Sequence, residues 1–169
     1  RLIVVNNPNN PTGALIERDL LTGIAAIARA CDAYVLADEV YRGLEHDPAA
    51  DAPSIVDVYE KGVSTGSMSK PWALAGLRLG WIVAPSELIE AVSIHRDYTT
   101  ISVGRLDDLL ASVALESRDA VLGRARRITR TNLAVLDAWV AERPDVSYLK
   151  PAGGTTALLR YDAPIDSYA

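Results

Sequence analysis

Three short apolar runs, each closed by a polar cluster, constrain this chain more than any other feature. Leu2–Val5 is continuous and β-branched, and it gives way to Asn6–Gly13, reading NNPNNPTG. Tyr34–Ala37 ends on Asp38-Glu39-Val40-Tyr41, and Val63–Ser67 runs into Met68-Ser69-Lys70. Short continuous apolar runs bounded by turn residues suit strands covered on both faces, the habit of parallel sheets. Between the first two, Leu20, Leu21, Ile24, Ile27, Ala28 and Cys31 recur at helical spacing, which predicts an amphipathic helix over Glu17–Cys31. Strand, loop, helix and strand in alternation predict an α/β layer with a mainly parallel sheet. Ligands of such sheets gather beyond the carboxyl ends of the strands, which is where the polar clusters stand.

The remainder reads differently. Leu77–Ala84 (LRLGWIVA) is expected to be a fourth strand, ended by Pro85, with Arg78 the charged residue inside it. Ser86 is placed as the N-cap of a helix reaching to about His95, with Glu87 and Glu90 near its positive end. Arg105–Val140 is expected to be mostly helical with a break at Ser117–Asp119, followed by β pieces at Val146–Leu149 and Thr155–Tyr161 around the turn Lys150–Gly154. The chain thus divides at about Gly104, into a layered part, 1–104, and a part of long helices leading into a smaller α+β lobe, 105–169. It begins at Arg1 directly in a strand, which reads as a processed chain or part of something longer.

Composition narrows the function. A net charge of −5 with 49% hydrophobic residues excludes a disordered chain, and an acidic balance disfavours phosphate-backbone binding. The single cysteine, Cys31, forms no internal disulfide framework and points to a reducing, cytoplasmic compartment. No apolar run approaches the roughly 20 residues that span a bilayer. His46 and His95 stand in no metal-ligand spacing, so no metal site is expected and both read as surface or packing residues. Arg124, Arg126, Arg127 and Arg130 read as a solvated helix face.

Each polar residue at the strand ends has an ordinary reading when taken singly. Asn10 and Thr12 form turns, Asp38 is solvated or caps a helix, and Tyr41 is a half-buried ring with a hydroxyl seeking a partner. Lys70 beside Pro71 is a surface lysine, and Arg78 pairs with a carboxylate. Their order and their shared placement argue for one crevice instead.

Three stretches, NNPNNPTG, ADEVY at Ala37–Tyr41 and SMSKPWALAGLRLGW at Ser67–Trp81, resemble the fold-type I pyridoxal-phosphate (PLP) enzymes, specifically the class I/II aminotransferases. Fainter similarity continues to PAGGTTALLRYD at Pro151–Asp162. The resemblance implies part of a PLP-transferase large domain in 1–104, then linking helices and a partial small domain in 105–169. It implies that Lys70 forms the Schiff base with PLP and shuttles the substrate proton, and that Asp38 pairs with the pyridine nitrogen. Tyr41 and Asn10 would hydrogen-bond the phenolate oxygen, while Ser67, Ser69 and Arg78 would anchor the phosphate. The Asn10-Pro11 bond is expected to be cis.

Amino-acid and keto-acid substrates and a homodimer with interfacial active sites are implied in the same way. In the family an earlier segment supplies a Gly/Ser-rich phosphate loop and a stacking ring, and a later one supplies the arginine that clamps the substrate carboxylate. This sequence contains neither, and Arg160 lies too early to be that clamp. His95–Ser102 resembles the corresponding stretch of PLP enzymes acting on arginine, capreomycidine synthase and the arginine oxidases. Transamination is therefore expected, with elimination, cyclisation or oxidation of an amino acid such as arginine as the alternative and a non-catalytic fragment as a third.

Overall fold

The β-branched runs extend because their side chains pack well on a pleated surface, and the Asn, Pro and Gly that follow each run stop it. The computed structural model describes residues 1–162 and 164; residue 163 and residues 165–169 of the expected small lobe lie outside the described residues. Strands β1 (Leu2–Asn6), β2 (Tyr34–Asp38), β3 (Gly62–Ser67) and β4 (Gly80–Val83) form one sheet in that order. β1, β2 and β3 run parallel and β4 is antiparallel to β3, so the sheet is mainly parallel as expected. Helix α1 (Arg18–Ala30) connects β1 to β2; α2 (Ser86–Arg96), α3 (Arg105–Glu116) and α4 (Arg118–Ala141) follow β4. A separate antiparallel pair, β5 (Val146–Tyr148) and β6 (Leu159–Tyr161), comes last.

Two cores hold these elements. Leu21, Ala25 and Ala28 of α1 pack on Ala33, Val35 and Ala37 around β2 and on Ile55 and Tyr59. A second cluster joins Met68 and Trp72 to Ala111, Ala114 and Leu122 of the later helices. The buried stripe of α1 is narrower than its apolar periodicity suggests: Leu20 and Ile27 remain 60% and 64% exposed. At about 100° per residue both point well to one side of Leu21. Nor is β1 covered on both faces. Ile3 and Val5 pack towards α1, whereas Leu2 and Val4 on the alternate face are 60% and 62% exposed.

Three further expectations are corrected. The fourth strand begins only at Gly80, because Ala75–Leu77 forms a 3₁₀ turn and Arg78 ends it with a left-handed φ of 50°. Arg78 is therefore in the turn before the strand. Pro85 precedes α2 in extended conformation, and its carbonyl accepts from the backbone N–H groups of Leu88 and Ile89, so Ser86 is the first helical residue and not the cap. The β pieces at the end are shorter than expected, three residues each. The break between α3 and α4 falls at Ser117, as expected. Among the described residues no helix is long and apolar enough to cross a membrane.

Gly66 and Trp81 are register partners on β3 and β4, and the indole lies across the glycine. A Cβ on Gly66 would stand 2.3 Å from the Trp81 ring. Gly66→Ala is expected to destabilise the chain by about 1–3 kcal/mol, the usual cost of overpacking. Urea unfolding followed by Trp fluorescence checks it, and Trp81→Leu in the same chain should restore most of the loss.

Candidate active site

The loop after β1 is built by its own side chains. Asn6 donates through Nδ2 to the Asp38 carbonyl at 2.9 Å, and its Oδ1 accepts from the Asn10 backbone at 2.6 Å. Asn7, 5% exposed, exchanges hydrogen bonds with both backbone groups of Ile16 at 2.9 and 2.8 Å. Asn9 Oδ1 accepts from the Thr12 hydroxyl at 2.6 Å. Thr12 thus keeps its turn-forming role. The Asn10-Pro11 bond is cis as expected, and so is Asn7-Pro8.

This loop is clamped from outside. The Gly13 carbonyl accepts from the N–H groups of Ala152 and Gly153 at 2.9 and 3.0 Å, and Gly154 N–H donates to the Leu44 carbonyl at 3.1 Å. Gly13 has φ of +67°, and a Cβ there would lie 2.4 Å from the Pro151 Cβ. Only glycine meets both demands.

The clamped loop brings Asn10 to Tyr41: the amide Nδ2 donates to the phenol oxygen at 3.4 Å. Tyr41 is 4% exposed, and the Lys70 Nζ stands 5.7 Å from its ring centroid. Asn10, Tyr41 and Lys70, from three connections of the sheet, therefore converge. Asp38 ends β2 between them. Its Oδ1 accepts from the Val40 N–H and the Thr65 hydroxyl, both at 3.3 Å, while Oδ2 accepts no hydrogen bond among the described residues. One carboxylate oxygen is held and the other is available.

The three lysines of the chain differ in what surrounds them. Lys61 is paired with Asp32 and Lys150 with Asp137. The Asp32 carboxylate holds the Lys61 amine in its charged form and raises its pKa. Among the described residues Lys70 has no carboxylate partner, so its amine is the one not committed to an ion pair.

Ser67, Ser69 and Arg78 all lie between the end of β3 and the start of β4. The Ser67 hydroxyl accepts from the Ser69 N–H at 3.0 Å and reaches the Leu79 carbonyl at 3.5 Å. Arg78 is exposed and donates to the Ala75 carbonyl at 2.8 Å; no hydrogen bond joins it to either serine among the described residues. It pairs with no carboxylate there either, so its ordinary reading is not met.

Glu39, on the opposite face from Asp38, is 5% exposed. Its Oε1 accepts from the Ser54 hydroxyl and the Ile55 N–H at 2.9 and 2.8 Å, and its Oε2 accepts from the Ser64 hydroxyl at 2.9 Å. A buried carboxylate requires such partners, and these tie β2, β3 and the 54–57 turn together.

A cavity of about 1030 Å³ is lined by Glu39, Ser64, Ser67, Trp72, Trp81 and Arg126 among others, so of the candidate residues it takes in Ser67. Asn10, Asp38, Tyr41 and Lys70 do not line it. The candidate site therefore rests on this convergence of side chains and not on that hollow. Two of the four α4 arginines depart from the solvated-face reading, which Arg124 and Arg127 keep: Arg126 donates to the Gly43 carbonyl at 2.8 Å and Arg130 to the Glu45 carbonyl at 3.2 Å, securing the segment after Tyr41. His46 is packed into this region, and its burial, with Arg130 nearby, lowers its pKa.

The family described as aminotransferase class I and II matches residues 1–164. The chain belongs to this family. Among its relatives, capreomycidine synthase from Streptomyces vinaceus is 34% identical over 169 residues, covering 98% of this chain and 43% of that protein. Aspartate aminotransferase from Pyrococcus horikoshii is 36% identical over 120 residues, 71% of this chain and 31% of that one. The crystal structure of a PLP-dependent aminotransferase from Streptococcus suis superposes with a TM-score of 0.93 at 41% identity, over 98% of this chain and 43% of that chain. The fold of this class I/II chain is that of the fold-type I PLP-dependent transferases. It spans less than half the length of these relatives.

Sequence reasoning on this aminotransferase-family chain assigns no role to Thr65, Glu39 or Asn6. Alternation along β3 does carry a signal for Thr65, since it shares a face with Ser67. Nothing local signals the partners of Glu39, which lie 15 to 25 residues away.

Proposed function

We propose that the protein is a PLP-dependent aminotransferase, moving an amino group between an amino acid and a keto acid, and that this chain carries the part of its site that holds the cofactor. The observation that carries the proposal is the convergence of Lys70, Tyr41 and Asn10 at the ends of the parallel strands, where Asp38 closes β2 with one carboxylate oxygen uncommitted among the described residues. The donor set fits the cofactor's chemistry. Asp38 Oδ2 is an acceptor for a protonated pyridine nitrogen, Asn10 and Tyr41 are donors for a phenolate oxygen, and Lys70 is an uncommitted primary amine. Ser67, Ser69 and Arg78 are donors for a phosphate, and the guanidinium stays charged at any working pH.

Bound PLP supplies an aldehyde that captures an amine and a ring that accepts electrons when a bond to the α-carbon breaks. The chain's residues do the rest. Asp38 would hold the proton on the pyridine nitrogen by accepting its hydrogen bond through the uncommitted oxygen. Asn10 and Tyr41 orient the ring. Lys70 Nζ would serve as the base for the substrate's α-proton and then as the acid that gives that proton up.

The same reading places residues 1–104 in the cofactor-binding domain and 105–169 in linking helices and part of a small domain, within a cytoplasmic homodimer. Its test is spectroscopic and chemical. The complete protein with PLP should show a visible absorption band that changes when an amino acid is added, and keto-acid formation should balance amination of a second keto acid. Absence of any band would reject the proposal.

A second reading is favoured by the similarity to capreomycidine synthase across 98% of the chain. It keeps PLP but ends in cyclisation, elimination or oxidation of an amino acid such as arginine. Amino transfer balanced one for one would exclude it.

A further inference from the structure

We propose that Thr65 is a positioning residue that fixes the Asp38 carboxylate and turns its uncommitted oxygen towards the cofactor's pyridine nitrogen. The inference rests on the proposed cofactor site. Asp38 and Thr65 are register partners on the parallel strands β2 and β3, so their side chains share a face of the sheet. The Thr65 hydroxyl donates to Asp38 Oδ1 at 3.3 Å, and the Thr65 carbonyl accepts from the Glu39 N–H at 2.9 Å. Thr65 therefore holds the carboxylate and the backbone directly after it.

The Val40 N–H also donates to Oδ1 at 3.3 Å. Two donors on one oxygen fix the plane of the carboxylate and leave Oδ2 for a third. Threonine suits this position because branching at Cβ restricts its χ1, so the hydroxyl is held where the carboxylate needs it. The spacing of the strands does not depend on this bond. On the other face Glu39 accepts from Ser64 at 2.9 Å, from Ser54 at 2.9 Å and from the Ile55 N–H at 2.8 Å. Removing the Thr65 hydroxyl should therefore leave the sheet intact and free the carboxylate to turn.

The test uses the full chain and two probes, PLP and its 1-deaza analogue, which carries carbon in place of the pyridine nitrogen. Thr65→Val should weaken PLP binding about five- to tenfold, the scale of one ordinary hydrogen bond. It should leave binding of the deaza analogue within about twofold and the unfolding midpoint unchanged, and Thr65→Ser should restore PLP binding. Equal weakening for both probes would show a merely structural role and overturn the inference. So would Thr65→Val binding PLP as wild type does while Asp38→Asn binds it more weakly. If Asp38→Asn also bound PLP as tightly as wild type, the cofactor-site reading itself would fall.

Discussion

Lys70→Ala is expected to abolish turnover, lowering kcat by at least ~10⁴-fold, the upper range for removal of a positioned acid/base group. The loss is not one of folding. Lys70 is exposed, and the turn around it is held by backbone bonds from Leu74 to the Met68 carbonyl at 2.9 Å and from Met68 to the Leu79 carbonyl at 3.0 Å. Surface truncation of this kind changes stability by about 0.5 kcal/mol or less. Lys70→Arg keeps the positive charge near the Tyr41 ring but offers no primary amine, so it should be as inactive as alanine. Keto-acid production at saturating substrate measures both. Near-normal activity in Lys70→Ala would overturn the assignment of this lysine.

Asp38→Asn should lower kcat about 10²–10³-fold while retaining part of the cofactor affinity, the scale seen when one preorganised electrostatic group is lost. Asparagine keeps the shape of the side chain, and its carbonyl oxygen still accepts from the Val40 N–H and the Thr65 hydroxyl, which now meet Oδ1 at 3.3 Å. What disappears is the negative charge on the second oxygen. Without it the ring nitrogen loses the group that holds its proton, and negative charge developing at the α-carbon is less stabilised. Rates from steady-state kinetics and affinity from cofactor titration separate the two effects. A rate equal to wild type would show that Asp38 does not face the pyridine nitrogen.

The parallel strands and the polar loops that end them were legible in the sequence because both signals are local: β-branched runs, and Asn, Pro and Gly where they stop. The fourth strand was legible only in part. Leu77 and Leu79 read as alternate residues of a strand, but both pack against the cluster of Met68 and Trp72, and Arg78 between them turns left-handed. An apolar pattern reports burial and not φ, so it extended a strand across a turn. Gly66 gave no sign of its reason either, since Trp81 reaches it only through antiparallel pairing.

Within the proposed site, the polar clusters that hold Asn10, Asp38, Tyr41 and Lys70 were visible at the strand ends, and their proposed roles came from the family resemblance. Their support was not visible. Thr65 meets Asp38 across 27 residues, and Arg126 and Arg130 meet the Gly43 and Glu45 carbonyls across 83 and 85. Such contacts depend on strand register and helix placement, which no short window of sequence contains. The narrow buried face of α1 has the same cause: Leu20 and Ile27 satisfy the helical period, yet the surface they meet is decided by the sheet beneath.

Borohydride reduction of the full chain loaded with PLP, followed by peptide mapping, tests the central assignment most directly. Lys61 and Lys150 are each tied to a carboxylate, while Lys70 stands uncommitted beside Tyr41. A pyridoxyl group confined to the peptide containing Lys70 is the predicted result. A stable adduct on Lys61 or Lys150 in its place, or no adduct at all, would contradict it.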